Sequence, residues 1–235
     1  MSAGSPEHRG RASAANADAA GLPAAPEVVQ LEVGLLQNLC AILTCPETGE
    51  AAVVDPAWEV DRLLAEVTRL GADVRTILLT HTHNDHIEGV AEMVAATGAV
   101  VVVHPNEVDR VRPLARQLRL VSDRLDIAIG RRGVRALETF GHTAGGTCFL
   151  ADGFIVTGDV LFVGGCGRTD FPGGDTAALW ASLQRLLGLP EETRVFPGHD
   201  YGTTPTSSLG REALENRYLR CRTLDEFRAL RERKR

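Results

Sequence analysis

Apolar residues recur along the chain in two rhythms, one suited to strands and one to helices. Short runs rich in Val, Ile, Leu and Ala predict strands at about Val28 to Val33, Leu39 to Thr44 and Ala51 to Val54, with Pro46 to Gly49 as a hairpin turn. Val60, Leu63, Leu64, Val67 and Leu70 fall at helical spacing, and Gly71 stops that helix. A buried strand follows over Val74 to Leu79, then a helix from Ile87 to Thr97 closed by Gly98, then a strand from Ala99 to Val103. A second strand-rich stretch contains Val134 to Phe140, Phe154 to Val156 and Val195-Phe196. A helix over residues 176 to 188 turns Leu179, Leu183 and Leu186 inward, and closing helices are expected over Leu209 to Leu219 and Leu224 to Leu230. Residues 1 to 26 are rich in Ala, Gly, Ser and Pro without apolar period, so a disordered tail is expected there and one domain over 27 to 235.

The chemistry concentrates where these elements meet. Thr80-His81-Thr82-His83-Asn84-Asp85-His86 places three of the seven histidines and a carboxylate in one loop between a predicted strand and helix. That is the strand edge at which α/β folds hold ligands. Imidazole nitrogen and carboxylate oxygen are donors for zinc or iron. Three further candidates follow apolar runs and stand beside glycine: His142 in Phe140-Gly141-His142, Asp159 in Val156-Thr157-Gly158-Asp159, and His199 in Pro197-Gly198-His199. Each is weak evidence alone; in series they make seven candidate ligands. His104, followed by Pro105, is read as structural.

This ordered set resembles the metallo-β-lactamase superfamily over about residues 28 to 221. The resemblance implies an α/β fold, an αββα sandwich of two mixed sheets flanked by helices. It also implies that His81, His83 and His142 hold one metal, that Asp85, His86 and His199 hold the other, and that Asp159 bridges them. Two divalent ions are expected, Zn2+ first, with Fe or Mn as alternatives. The Asp159 bridge argues against the β-lactamases of this fold, and no apolar signal segment begins the chain. Residues 158 to 171 look like glyoxalase II (hydroxyacylglutathione hydrolase) and the persulfide dioxygenases. By the same resemblance Asp85 would orient the nucleophile, and Tyr201, Arg168 and Cys166 would stand on the substrate side. Arg168 and Asp170 are expected to form a buried or partly buried ion pair. The residues after His199 are too few for the C-terminal helical domain with which glyoxalase II usually binds glutathione, which puts glutathione recognition in doubt.

Two mechanisms use the same residues. In the favoured one, a metal-dependent hydrolase cleaves a thioester such as an S-2-hydroxyacylglutathione with a water whose pKa two metals lower to about 7. In the alternative, a single Fe2+ on His81, His142 and Asp159 serves a dioxygenase that oxidises glutathione persulfide to sulfite. A metal-binding scaffold without turnover is the third reading.

Composition narrows the field further. With 44% hydrophobic content, 235 residues can bury a sizeable core as one domain. A net charge of −6 argues against nucleic acid as a partner, and a small-molecule thioester or glutathione-type substrate is expected, away from membranes. Lys234 is the only lysine, which excludes Schiff-base chemistry and a phosphate-loop lysine. Five cysteines without a Cys-x-x-Cys pair point to free thiols in a reducing compartment, the cytoplasm ahead of the mitochondrial matrix. The oligomeric state stays open, with a homodimer as one option. The arginines between Arg110 and Arg132 read as an ordinary solvated surface, and Arg228 to Arg235 as a frayed helix end.

Overall fold

All seven residues of the strand Asn38–Thr44 are buried, so the sheet it belongs to must be covered on both faces. The computed structural model describes residues 17–232 and shows how this is done. The first sheet runs β1 (Glu27–Val33), β2 (Asn38–Thr44), β3 (Glu50–Val54), β4 (Asp73–Leu78), β5 (Val100–Val103) and β6 (Leu118–Leu120) in that order, antiparallel up to β3 and parallel from there. The second contains β7 (Asp126–Ile129), β8 (Arg132–Glu138), β9 (Thr147–Ala151) and β10 (Phe154–Gly158). A separate short hairpin of β11 (Leu161–Phe162) and β12 (Gly165–Cys166) follows, and β13 (Arg194–Pro197) and β14 (Ser207–Ser208) complete the second sheet. Its order is β14-β13-β10-β9-β8-β7, with β10 and β13 parallel.

Three apolar clusters hold the layers together. Leu43, Leu78, Phe149, Val156 and Phe196 pack between the sheets. Helices α1 (Val60–Arg69), α2 (Asn84–Ile87) and α3 (Val90–Thr97) cover the outer face of the first sheet through residues such as Leu63, Ile87 and Met93. Helix α4 (Val108–Val111) joins that layer through Val108 and Val111. Helices α5 (Thr176–Leu186), α6 (Leu209–Glu215) and α7 (Leu224–Glu232) cover the second sheet through Leu183, Leu209 and Phe227. The result is the expected αββα sandwich of two mixed sheets. Among the described residues no disulfide joins the five cysteines, and no helix is long and apolar enough to cross a membrane.

Three expectations need correction. The helix expected over Ile87 to Thr97 is two helices, because Gly89 donates its N–H to Pro56 O (3.0 Å) and packs so closely that a β-carbon there would lie 2.6 Å from Val60. The helix expected to reach Leu219 ends at Glu215, where buried Asn216 turns its amide to the β11–β12 carbonyls of Phe162 and Gly165. Residues 17–26 pack on the domain where a disordered tail was expected. Asp18, 2% exposed, binds Arg124 and Arg185, while Arg135 donates to the carbonyls of Asp18, Ala20 and Gly21. The rest of that expected tail, residues 1–16, lies outside the described residues.

Candidate metal centre

Four strands deliver the predicted ligands to one edge of the sandwich. β4 runs into the loop carrying His81, His83, Asp85 and His86; β8 leads to His142, β10 to Asp159 and β13 to His199. The sheets are tied together at this edge, where Leu39 N donates to Gly198 O (2.8 Å). Close packing at the site requires glycine twice. A β-carbon on Gly198 would stand 2.6 Å from Asp159 Oδ1, and one on Gly167 would overlap the carbonyl oxygen of Asp159.

The structure brings all seven side chains together in two groups joined by the seventh. His83 Nδ1 lies 3.1 Å from His81 Nε2 and 2.9 Å from His142 Nε2. His199 Nε2 lies 3.2 Å from His86 Nε2 and 3.3 Å from Asp85 Oδ2. Asp159 stands between: its Oδ2 is 3.3 Å from His142 Nε2, and its Oδ1 is 3.3 Å from His86 and 3.5 Å from His199. Each triad could hold a metal ion.

The hydrogen bonds on the far side of each ring test whether a cation fits. His142 Nδ1 faces the Arg168 carbonyl (2.8 Å) and His199 Nδ1 faces the Leu36 carbonyl (2.8 Å); a carbonyl only accepts, so both Nδ1 atoms carry the proton. His86 Nδ1 donates to Asp55 Oδ2 (3.0 Å). Thr80 Oγ1 spends its proton on Asp55 (2.5 Å), so it accepts from His81 Nδ1 (3.0 Å). With one proton per neutral ring, the Nε2 lone pairs of all four histidines point into the centre. Lone pairs at such distances repel unless a positive charge lies between them. Buried Asp159 Oδ1, which makes no well-aimed hydrogen bond, adds an acceptor in the same place.

The titration behaviour agrees. Burial pushes His81 well below the ordinary imidazole value and His83 down to about 4. Burial also opposes charge on His86 and His199, but nearby carboxylates outweigh it. Asp159 and Asp55 raise His86 well above its ordinary value, and Asp159 and Asp85 raise His199 to about 9. Burial favours a neutral Asp85, yet His199, the charge of His86 and the Asn38 amide hold its carboxyl down at about 2. Proton or metal, positive charge belongs at the Asp85, His86 and His199 group, and cation binding there displaces protons.

Supporting residues divide into those the sequence exposed and those it hid. Asp55, with a left-handed φ of 47°, accepts from Thr80 N (2.8 Å), Thr80 Oγ1 and His86. Its position after the apolar run of β3, at the same edge as the histidines, was the signal that could have revealed it. Asn38 donates to Asp85 O (2.9 Å) and Oδ2 (3.2 Å) while accepting from Trp58. Tyr201 stacks on His199 with ring centroids 4.6 Å apart, though half of it is exposed. The Arg168–Asp170 pair is not buried as expected: the Arg168 side chain is 64% exposed, held by Asp170 and by the face of Phe171. Its backbone carbonyl is the part that braces the ligand set, facing His142 Nδ1. Of the 110–132 arginines, Arg110 reaches Asn84 beside the site, whereas Arg124 and Arg132 pair with Asp18 and Glu47. His104 donates to Glu138 (3.3 Å) and accepts from Asn106 N (3.1 Å), apart from the ligands.

A cleft of about 690 Å³ opens over the centre, with Leu36, Phe162, Val163 and Tyr201 among its walls. Cys166, Arg168 and Tyr218 are shared with an adjoining cleft of about 550 Å³ that extends to Arg228 and Arg231. The expected frayed end is therefore a docked helix. Arg231 donates to Gly167 O (2.9 Å) and lies over Tyr218; only residues 233–235 of that stretch fall outside the described residues.

Residues 33–199 match the metallo-beta-lactamase superfamily, and the chain belongs to that superfamily. It is 33% identical over 198 residues to the probable polyketide biosynthesis zinc-dependent hydrolase PksB of Bacillus subtilis, an alignment spanning 84% of this chain and 88% of that protein. It is 36% identical over 194 residues to a hydroxyacylglutathione hydrolase of Rhodospirillum rubrum, spanning 81% and 73%. The crystal structure of ETHE1 from Myxococcus xanthus superposes with a TM-score of 0.81 at 32% identity, covering 88% of this chain and 90% of that one.

Proposed function

We propose that this protein is a two-metal thioester hydrolase of the glyoxalase II type. The observation that carries the reading is Asp159, whose two carboxylate oxygens face opposite triads. His81, His83 and His142 would hold one divalent cation and Asp85, His86 and His199 the other, with Asp159 shared. Zinc suits this nitrogen-rich set best, with iron or manganese as alternatives. Bound in this way, a pair of cations supplies a water of lowered pKa and an electrophile for a carbonyl oxygen.

The chain's own groups supply the rest. Asp85 stays ionised down to about pH 2, so its carboxylate acts as a fixed acceptor that orients the attacking water. Asn38 keeps it aimed. Leu36, Phe162 and Val163 form an apolar wall suited to an acyl group. On the other side, Arg168, Arg228 and Arg231 suit an anionic thiol carrier, since guanidinium groups pair with carboxylates such as those of glutathione. Similarity to a hydroxyacylglutathione hydrolase supports the same substrate class. Cysteines that form no disulfide among the described residues support a reducing, cytoplasmic setting.

A second reading has its own observation. His81, His142 and Asp159 alone present two imidazoles and one carboxylate on one side, the set that holds a single ferrous ion in oxygenases. It leaves the equally well-formed Asp85, His86 and His199 group idle. The discriminating assay supplies S-D-lactoylglutathione and glutathione persulfide in turn under an oxygen electrode. Thiol release without oxygen uptake supports the hydrolase; oxygen uptake with the persulfide supports the dioxygenase; turnover of neither, after loading with zinc, iron or manganese, leaves a binding scaffold.

A further inference from the structure

Apart from Asp55, which serves His86 directly and His81 through Thr80, the two ligand groups are braced by different parts of the fold. Asp85 is held by Asn38, and His199 by the Leu36 carbonyl, both from the β1–β2 hairpin. Among the described residues no hydrogen bond runs from that hairpin to the loop carrying His142. That loop is gripped by the 3-10 turn Pro105–Glu107. Asn106 Nδ2 donates to Ala144 O (2.9 Å), and buried Glu107 accepts the Gly145 N–H at Oε1 (3.1 Å). The second oxygen of Glu107 accepts the hydroxyl of Thr82, the residue between His81 and His83. One carboxylate thus joins both segments that supply the first triad; among the described residues it is hydrogen-bonded to none of the triad's imidazoles and is not among the residues lining the cleft over the centre. Gly145 is fitted to it, for a β-carbon there would lie 2.5 Å from Glu107 Cγ.

We infer that Glu107 is a positioning residue that sets the His81, His83 and His142 site independently of the Asp85, His86 and His199 site. Losing it leaves the buried Gly145 N–H unpaired and lets the two loops drift apart, while the hairpin brace of the other triad is untouched. Groups that orient ligands from behind typically change metal affinity by roughly 10–100-fold. Glutamine can do the same work without charge, accepting from Gly145 N–H while its amide donates to Thr82 Oγ1.

The test is a metal titration of the full chain, independent of turnover, and it rests on the two-cation reading above. Co2+ is added to metal-free wild type, Glu107→Ala, Glu107→Gln and Thr82→Val, with absorption spectra recorded against a chelator of known affinity. The expected result is two ions per wild-type chain, one of them weakened roughly 10–100-fold in Glu107→Ala. Thr82→Val should show a smaller loss at the same step, and Glu107→Gln should approach wild type. If Glu107→Ala does not fold, Thr82→Val read against Glu107→Gln carries the comparison. Equal weakening of both ions, unchanged binding in Glu107→Ala and Thr82→Val, or Glu107→Gln as damaged as Glu107→Ala would each overturn the inference. One ion in the wild type would overturn the two-cation reading instead.

Discussion

Asp55 Oδ2 stands 3.0 Å from His86 Nδ1 and receives the hydroxyl of Thr80, so one carboxylate fixes the proton positions of both His86 and, through Thr80, His81. An Asp55→Asn amide would direct N–H groups at donors. The variant should lose affinity for metal by roughly 10–100-fold, and thioesterase activity should fall in parallel at limiting metal. Isothermal titration with zinc measures the first effect; unchanged affinity would remove Asp55 from the account.

His83 separates the two enzyme readings. Its Nδ1 lies within 3.1 Å of both His81 and His142, inside the first triad. His83→Ala removes a direct ligand in the two-metal hydrolase, and kcat/KM should drop by several powers of ten. With a single iron on His81, His142 and Asp159, the loss should be mild.

The arginines of the adjoining cleft, which Asp170 and Glu232 also line, should act on the thiol carrier alone. Arg228→Ala should raise KM for S-D-lactoylglutathione about tenfold, the scale of one lost charge-assisted contact. The same acyl group on neutral N-acetylcysteamine should show no change. An equal effect on both thioesters would remove Arg228 from carrier recognition.

Asp18 links the N-terminal segment to stability in acid. Burial favours its neutral form, but Arg185 and Arg124 outweigh this and hold its pKa below the ordinary 3.8. The clamp therefore contributes in full above pH 3.8, and its contribution disappears as pH falls through the lower folded value. Asp18→Asn should destabilise the protein by roughly 2 kcal/mol at neutral pH. The gap from wild type should close as the denaturation series is taken into acid.

Much of this was legible because its signals are local. The ligands lie beside glycines at the ends of apolar runs, and a strand end needs no tertiary information to be seen. What stayed hidden depends on partners far along the chain. Asp18 is ordered by Arg185, 167 residues away, and nothing in an alanine-rich stretch announces that. The break at Gly89 is dictated by Pro56 and Val60, not by the helical period of its own segment. The glycine-flanked loop suggests a buried or partly buried Arg168–Asp170 pair. The structure instead puts the guanidinium outside and uses the carbonyl. Asp55 and Glu107 look like ordinary acids until the histidine loop folds against them.

In the proposed two-metal enzyme, Asp159 joins two cation sites formed by six other side chains. Counting zinc bound per chain in wild type and Asp159→Ala at neutral pH tests it most directly. Close to two ions are expected in the wild type, with weakened binding at both sites in the variant. A wild type that saturates at one ion, or an Asp159→Ala protein that still binds two with undiminished affinity, contradicts it.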